Sequence, residues 1–240
     1  MAMKVTIIGY GKMGKEIEKV LLQAGHTVVA TIDNEQEWEA RLEAFLQSDV
    51  AIEFSMPQTV IANLNRCFKH HIPVVSGTTG WQDQRDEVIA RCKAQNGSLV
   101  YGSNFSIGAN LFFAINEAMA KMMNEQSQYD VSIDETHHIT KKDAPSGTAI
   151  TTAQLILAQL HRKHGWKLDE ASADEIAVRA HRVGDAAGIH TVTYTSDEDQ
   201  IEITHTANSR LGFAKGAVKA AAWLVKNPGI YEFKDIFGQL

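Results

Sequence analysis

Between a short β-branched run, Lys4–Gly9 (K-V-T-I-I-G), and a helix-spaced apolar series, Met13, Ile17, Val20, Leu21 and Ala24, lies Gly9-Tyr10-Gly11-Lys12-Met13-Gly14. Glycines at this spacing let a strand turn sharply into a helix, let the backbone approach a pyrophosphate, and let the helix pack close to the strand. The helix N-terminus then offers free N–H groups and a partial positive charge to phosphates. Gly25 closes the helix, and Asp33 ends a second run, Thr27–Asp33, nineteen residues past Gly14. A carboxylate there accepts hydrogen bonds from the adenosine ribose hydroxyls. Gly9 to Gly14 and Asp33 therefore form an expected dinucleotide-binding set. Asn34 follows the acid where an NADP-selective site more often carries an arginine. That slightly favours NADH over NADPH, although Lys12 can still reach a 2′-phosphate.

The hundred residues around this motif alternate strand and helix. Further strand candidates are 50–55, 73–76 and 99–102. Helical patterns at Val60/Ile61/Leu64/Cys67/Phe68 and Val88/Ile89/Cys92 separate them. Continuous apolar strands suit a parallel sheet buried on both faces, linked by right-handed crossovers. Two loops follow such strands, Ser76-Gly77-Thr78-Thr79-Gly80 and Gly102-Ser103-Asn104-Phe105-Ser106. Open α/β sheets bind ligands at that end, so these loops are either ordinary strand-to-helix turns or the lining of a nicotinamide pocket.

After about residue 104 the pattern changes. A helix over roughly 110–123 leads to an alternating strand, 130–135, and a second helix is expected from 147 to about 164. Strand candidates near 176–182, 189–195 and 201–205 alternate polar and apolar residues, as in an open sheet covered on one face. A last helix, about 213–226, is apolar enough to pack back onto the first domain. The expected fold is α/β. Residues 1–104, completed by 213–240, form a Rossmann-like parallel sheet, and 105–212 form a second α+β domain on an open mixed sheet.

Lys plus Arg number 23 against 29 Asp plus Glu, a net charge of −6 without charge blocks, which argues against nucleic acid or an anionic membrane as partner. No apolar stretch approaches the roughly 20 residues of a bilayer span. Two cysteines, Cys67 and Cys92, make no disulfide framework, so a cytosolic location is expected.

The most informative stretch is 134–149, D-E-T-H-H-I-T-K-K-D-A-P-S-G-T-A. Pro145 suits a turn or first helical turn, and Ser146 and Thr148 place hydroxyls beside free helical N–H groups. Two imidazoles and two ammonium groups precede this anion cradle, which asks for an anionic small molecule. Hydride delivery to an unsaturated substrate requires a proton, and histidine is the residue best suited to supply one near neutral pH. Adjacent histidines on an extended segment point to opposite sides, so one of His137 and His138 is the acid. A lysine nearby can hold a carboxylate or act as a second donor. The pair lacks the i, i+4 spacing of a helical metal site, and no metal is expected. His161 and His164, beside Arg162 and Lys163, read as charges at a helix C-terminus. A non-catalytic NAD(H)-sensing protein is the competing reading, and a cysteine-dependent semialdehyde dehydrogenase lacks a nucleophile turn.

The chain resembles the 4-hydroxy-tetrahydrodipicolinate reductases (dihydrodipicolinate reductases) along nearly its whole length. The resemblance rests on G-Y-G-K-M-G, S-G-T-T-G at 76–80, S-N-F-S-I-G at 103–108 and E-T-H-H-I-T-K-K-D-A-P-S-G-T-A at 135–149. It continues in V-G-D-A-A-G-I-H-T-V at 183–192 and A-N-S-R-L-G-F-A-K-G-A-V at 207–218. It implies NADH or NADPH as cofactor, a cyclic imine dicarboxylate as substrate, reduction to tetrahydrodipicolinate with loss of water, hinge closure, and a homotetramer formed through the second sheet. It implies His137 as proton donor and acceptor and Lys141 as a second donor. His138, Ser146, Gly147, Thr148 and Arg210 are implied to hold the substrate carboxylates. Gly77, Thr78, Thr79, Ser103, Asn104, Phe105 and Ser106 are implied as cofactor-binding residues. Asn34 and Met56 depart from arginines that some members carry.

Overall fold

A computed structural model describes residues 2–240. The chain divides into two compact units, Met1–Ile107 with Arg210–Leu240, and Gly108–Ser209. Among the described residues no helix is long and apolar enough to cross a membrane.

The first unit opens with β1 (Lys4–Ile8), α1 (Lys12–Gln23), β2 (Thr27–Ile32), α2 (Glu35–Ala40) and α3 (Leu42–Phe45). It continues through β3 (Val50–Glu53), α4 (Val60–Lys69), β4 (Val74–Ser76), α5 (Arg85–Ala94) and β5 (Leu99–Tyr101). From the second unit come α6 (Ile107–Met123, starting at the boundary), β6 (Asp130–His137), α7 (Gly147–Leu157), β7 (Gly165–Leu168), β8 (Glu175–Arg182), β9 (Ile189–Thr195) and β10 (Gln200–Thr206). The chain then returns to the first unit with α8 (Leu211–Leu224), β11 (Ile230–Glu232) and α9 (Phe233–Ile236).

The first sheet runs β11-β5-β4-β3-β1-β2, and every pair in it is parallel. Its strands read as unbroken apolar runs because both faces are covered. Val5, Ile7, Val50 and Ile52 pack with Ile17 and Leu21 of α1 and Ala217 and Ala221 of α8. Ile8, Ala51 and Val74 pack on the other face with Leu64 and Phe68 of α4 and Val88 of α5. Each fully buried aliphatic side chain of this kind contributes roughly 1.5–3 kcal/mol relative to exposure. The strand order reverses on either side of β1 and β3, which puts the ligand crevice beyond their carboxyl ends.

The second sheet runs β10-β9-β6-β8-β7. It is mixed: β9 is antiparallel to β6 and β10, whereas β6 with β8 and β7 with β8 are parallel. Val131 and Ile133 of β6, Val178 of β8 and Val192 of β9 form its core with Phe112 of α6 and Ala153 and Ile156 of α7.

Several elements differ from the sequence reading. The helix expected to reach about 164 ends at Leu157. Its missing last turns are occupied otherwise: the Arg162 guanidinium donates to the carbonyls of Met123, Asn124 and Tyr129 at 2.9, 3.3 and 2.7 Å. Lys163 is buried, donating to the Ala173 and Glu175 carbonyls at 2.7 and 2.9 Å and pairing with Asp130 at 2.6 Å. These two side chains therefore tie α6 and the β6 and β8 strands together, instead of marking the end of α7. The edge strands β7 and β11 and the short helices α2 and α3 were not expected from the sequence.

Candidate functional site

The turn from β1 into α1 is held by backbone contacts that suit only glycine. Gly9 has φ +89°, and a Cβ there would lie 2.2 Å from the Phe54 carbonyl oxygen; one on Gly14 would lie 2.3 Å from the Gly9 oxygen. Gly11, at the N-cap of α1, has open space where a Cβ would stand, so that segment of backbone is accessible to a ligand. Asp33 is exposed, and its carboxylate accepts the Tyr10 N–H at 2.8 Å. The Asp33 N–H in turn donates to the Glu37 carboxylate at 2.7 Å, and Asn34 caps α2 by accepting the Glu37 N–H at 3.0 Å. A cleft of roughly 330 Å³ is lined here by Gly9, Gly11, Asp33, Asn34, Ser55 and Met56. An exposed glycine-edged helix start beside a ribose-height carboxylate fits a dinucleotide.

The other expected cofactor residues divide by role. Lys12 is exposed, while Met13 packs against the core and the Tyr10 hydroxyl bonds Glu18. Thr78 is buried, and its hydroxyl accepts the Ser55 N–H at 2.8 Å. Gly77 lies against the Phe54 ring. Thr78 and Ser103 line a smaller cavity of roughly 100 Å³ with Trp81 and Tyr101. Thr79 sits in the same loop, and Asn104 accepts the Ser106 N–H at 2.9 Å. The Phe105 ring is in the hydrophobic core, 4.5 Å from the Phe233 ring. Arg210 is exposed at the N-cap of α8, in the first unit.

In the second unit the residues of 135–149 converge on a buried carboxylate. β6 carries Glu135 and His137 on one face, and strand register brings in partners distant in sequence. Glu135 lies opposite His190 of β9, and His137 beside Arg182 of β8. Glu135 is fully buried. Both its oxygens accept the Ser146 N–H at 3.0 Å, and Oε1 also accepts from Arg182 Nη2 at 3.2 Å. Oε2 faces His137 Nδ1 at 3.6 Å and His190 Nε2 at 3.7 Å. The two imidazoles meet edge to face, centroids 5.0 Å apart.

Burial on its own would raise the Glu135 carboxyl, but hydrogen bonds from His190 and Ser146 and the proximity of His137 outweigh it and hold it at about 2. Burial pushes the His137 imidazole down to about 4; Glu135 pulls it up, while His190, Lys141 and Arg182 push it further down. His137 is thus neutral at pH 7 in the free protein.

Around this cluster lie the residues expected to form the cradle. Ser146 caps α7, its hydroxyl accepting the Ala149 N–H at 3.2 Å. Among the described residues, nothing lies within 4 Å of where a Cβ on Gly147 would stand, and Thr148 is half-buried in the first turn. Lys141 Nζ pairs with both oxygens of Asp143 at 2.9 and 2.7 Å, and Arg182 Nη2 donates to the Asp143 carbonyl at 2.6 Å. His138, on the loop after β6, has Nδ1 2.8 Å from the Thr140 hydroxyl. His137 is buried and His138 partly exposed, as opposite sides of an extended segment require.

Glu135, Arg182 and His190 were not assigned roles from the sequence. Glu135 stands within the 135–149 motif and His190 within V-G-D-A-A-G-I-H-T-V, yet only strand pairing reveals that they meet. The ligand atoms of Glu135, His137 and His190 lie within 4.8 Å of one another, a metal-like grouping that spacing along the chain did not suggest. The Ser146 N–H and the Arg182 cation already fill the carboxylate, which suits an internal ion cluster better than a divalent centre. The two cysteines are free and buried, and burial pushes both thiols up, to about 11 at Cys92, which makes them poor nucleophiles.

A glycine-edged dinucleotide crevice in one unit, and an imidazole beside an anion cradle in the other, define a nicotinamide-dependent oxidoreductase. Residues 3–105 match the model of the dihydrodipicolinate reductase N-terminus and residues 108–237 that of its C-terminus. The chain belongs to the dihydrodipicolinate reductase family. It is 48% identical over 238 residues to a 4-hydroxy-tetrahydrodipicolinate reductase of Christiangramia forsetii, with 99% of each chain covered. A counterpart from Pseudoalteromonas atlantica is 39% identical over 83% of this chain and 77% of its own. In fold, the chain is similar to a dipicolinate-bound dihydrodipicolinate reductase from Paenisporosarcina sp. TG-14, with a TM-score of 0.81 at 24% identity, covering 98% and 100% of the two chains.

Proposed function

We propose that this chain reduces 4-hydroxy-tetrahydrodipicolinate to tetrahydrodipicolinate with NAD(P)H, in the diaminopimelate route to lysine. The single observation that carries the reading is His137 seated on buried Glu135 beside the open N-terminus of α7. The first unit holds the cofactor, and 108–209 hold the substrate and the assembly surface.

When bound, the reduced nicotinamide supplies the hydride. The chain supplies charge, orientation and the proton. Ser146, Gly147 and Thr148 present a hydroxyl pair and free helical N–H groups to one carboxylate, and His138 binds carboxylate oxygens. A doubly negative ligand beside His137 favours the charged imidazole and lifts it from its low resting value. His137 then donates as hydride arrives, so that hydride and proton add and water departs. Lys141, released from Asp143, serves as the second donor.

NADH is the preferred cofactor in this reading. Glu37 already occupies the Asp33 N–H, and Arg66, which lines the same cleft, is engaged by Glu35 and stacks 4.9 Å from the Trp38 ring. Arg66 is thereby less available to a 2′-phosphate, which leaves the exposed Lys12 as the cation able to attract one. The chain works as a cytoplasmic homotetramer built on the second sheet, whose edge strand β10 is largely exposed.

Calorimetric titration with NADH, with and without pyridine-2,6-dicarboxylate, tests the reading. Binding of both, each tightening the other, is expected. NADH binding with no response to the dicarboxylate would point instead to a sensor of the dinucleotide.

A further inference from the structure

Glu135 is the buried carboxylate at the centre of the second unit's cluster, and its second oxygen, besides a shared backbone N–H, faces two imidazoles. Oε1 is engaged by Arg182 and by the Ser146 N–H; Oε2 shares that N–H and otherwise faces His137 Nδ1 at 3.6 Å and His190 Nε2 at 3.7 Å. His190 Nε2 also lies 3.1 Å from Ser146 Oγ. The Nδ1 atoms of both histidines are buried without a hydrogen-bond partner among the described residues.

We propose that Glu135 and His190 are positioning residues that fix where the site's hydrogens point: His190 carries its proton on Nε2, towards Ser146 and Glu135, and His137 carries its proton on Nδ1, towards Glu135. The inference rests on the dicarboxylate reading of the site and deepens it.

A neutral imidazole has one proton to place on one of two nitrogens, and an ionised carboxylate can only accept. The nitrogen that faces the anion is therefore the one that carries hydrogen. For His190 the opposite choice would bury an unpaired donor at Nδ1 and turn a lone pair towards the carboxylate, two costs at once. For His137, Nδ1 stands just beyond hydrogen-bond length from Oε2 and has no other acceptor among the described residues, so a proton there is favoured by the charge it faces.

The consequences reach the substrate side. A serine hydroxyl has two acceptor positions and one hydrogen to donate. At Ser146 the Ala149 N–H fills one acceptor position and His190 Nε2–H the other. Its hydrogen is left to donate to a third group, and the acceptors within its reach are Glu135, whose carboxyl the Ser146 hydroxyl helps to hold down, and a carboxylate bound at the start of α7. At His137 the remaining nitrogen is Nε2, 3.1 Å from where a Cβ of Gly188 would stand. That nitrogen is then the atom that exchanges the proton, and glycine at 188, whose φ is +151°, spares it a tight contact. The other charged groups around the cluster are Arg182, Lys141 with its partner Asp143, and His205 beyond His190, itself shifted down by burial.

Nitrogen-15 NMR of the full ligand-free chain at neutral pH reads both ring tautomers directly, with resonances assigned by loss in His137→Gln and His190→Gln. The expected result is Nδ1–H at His137 and Nε2–H at His190 in the wild-type chain; the reverse tautomer at either ring overturns the proposal. In Glu135→Gln the amide can donate where the carboxylate accepted, so the His137 ring is expected to switch to Nε2–H; an unchanged ring contradicts the proposal. Affinity for pyridine-2,6-dicarboxylate is expected to fall about tenfold in His190→Ala and to be retained within about threefold in His190→Gln, which keeps an N–H for Ser146. Equal loss in both variants would mean His190 only fills space. A wild-type chain that binds no dicarboxylate would sink the functional reading and leave the tautomer result to stand or fall alone.

Discussion

Glu135 and His137 both titrate far from their ordinary values, and the two departures act in the same direction on stability. Glu135 sits at about 2 in the folded chain against 4.5 ordinarily, so the stability it confers is present above 4.5 and is lost as pH falls towards 2. His137 sits at about 4 against 6.5, so between those values the unfolded chain binds the extra proton and folding weakens as pH drops. Denaturant unfolding should therefore show stability falling steadily from about pH 6.5 downwards. In His137→Gln the upper part of that fall, between pH 6.5 and 4, should shrink, leaving the share carried by His205, which burial also pushes down. A wild-type profile flat from pH 7 to 4 would contradict the burial of these groups. In catalysis, His137→Ala should lower kcat by about 100-fold or more with little change in KM, because the proton is needed chiefly in the transition state. Unchanged turnover would remove His137 from the chemistry. Lys141→Ala should damage both KM and kcat, since that ammonium stands in the charged rim of the cradle.

At the scale of elements, the β1–α1 turn is the least forgiving point of the first unit. Gly9→Ala adds a methyl 2.2 Å from a backbone oxygen at a φ of +89°, so it should destabilise the fold by about 2 kcal/mol or more and weaken NADH binding at least tenfold. Thermal unfolding and NADH titration would check both; wild-type values would mean that the turn relaxes freely. This turn was legible in the sequence because the glycine spacing, the apolar strand and the helical period all occupy one short stretch. The cradle was legible for the same reason: His137, Lys141 and Ser146 fall within ten residues of one another. What was not legible is non-local. Arg182 and His190 reach Glu135 only through the register of β8 and β9 against β6. The strands β7 and β11, four and three residues long, carry no alternation of their own and exist by pairing with β8 and β5. The end of α7 escaped notice because Arg162 and Lys163 look like helix-terminal charges, whereas carbonyls of other segments hold them in place.

The molecule as a whole pairs a parallel sheet, whose crevice suits a dinucleotide, with a mixed sheet whose central strand carries the acid–imidazole cluster. The proposed NADH preference is tested at this scale: kcat/KM with NADH should exceed that with NADPH. Replacing Glu37 by Arg should narrow or invert the ratio, because it removes a carboxylate and adds a cation beside Asp33. An unchanged ratio would place the discrimination elsewhere. The most direct test of the account is nicotinamide oxidation by the purified chain with enzymatically generated 4-hydroxy-tetrahydrodipicolinate. One NADH should be consumed per substrate, pyridine-2,6-dicarboxylate should compete with the substrate, and the rate should collapse in His137→Ala. Tight NADH binding with no oxidation in the presence of that substrate would contradict it.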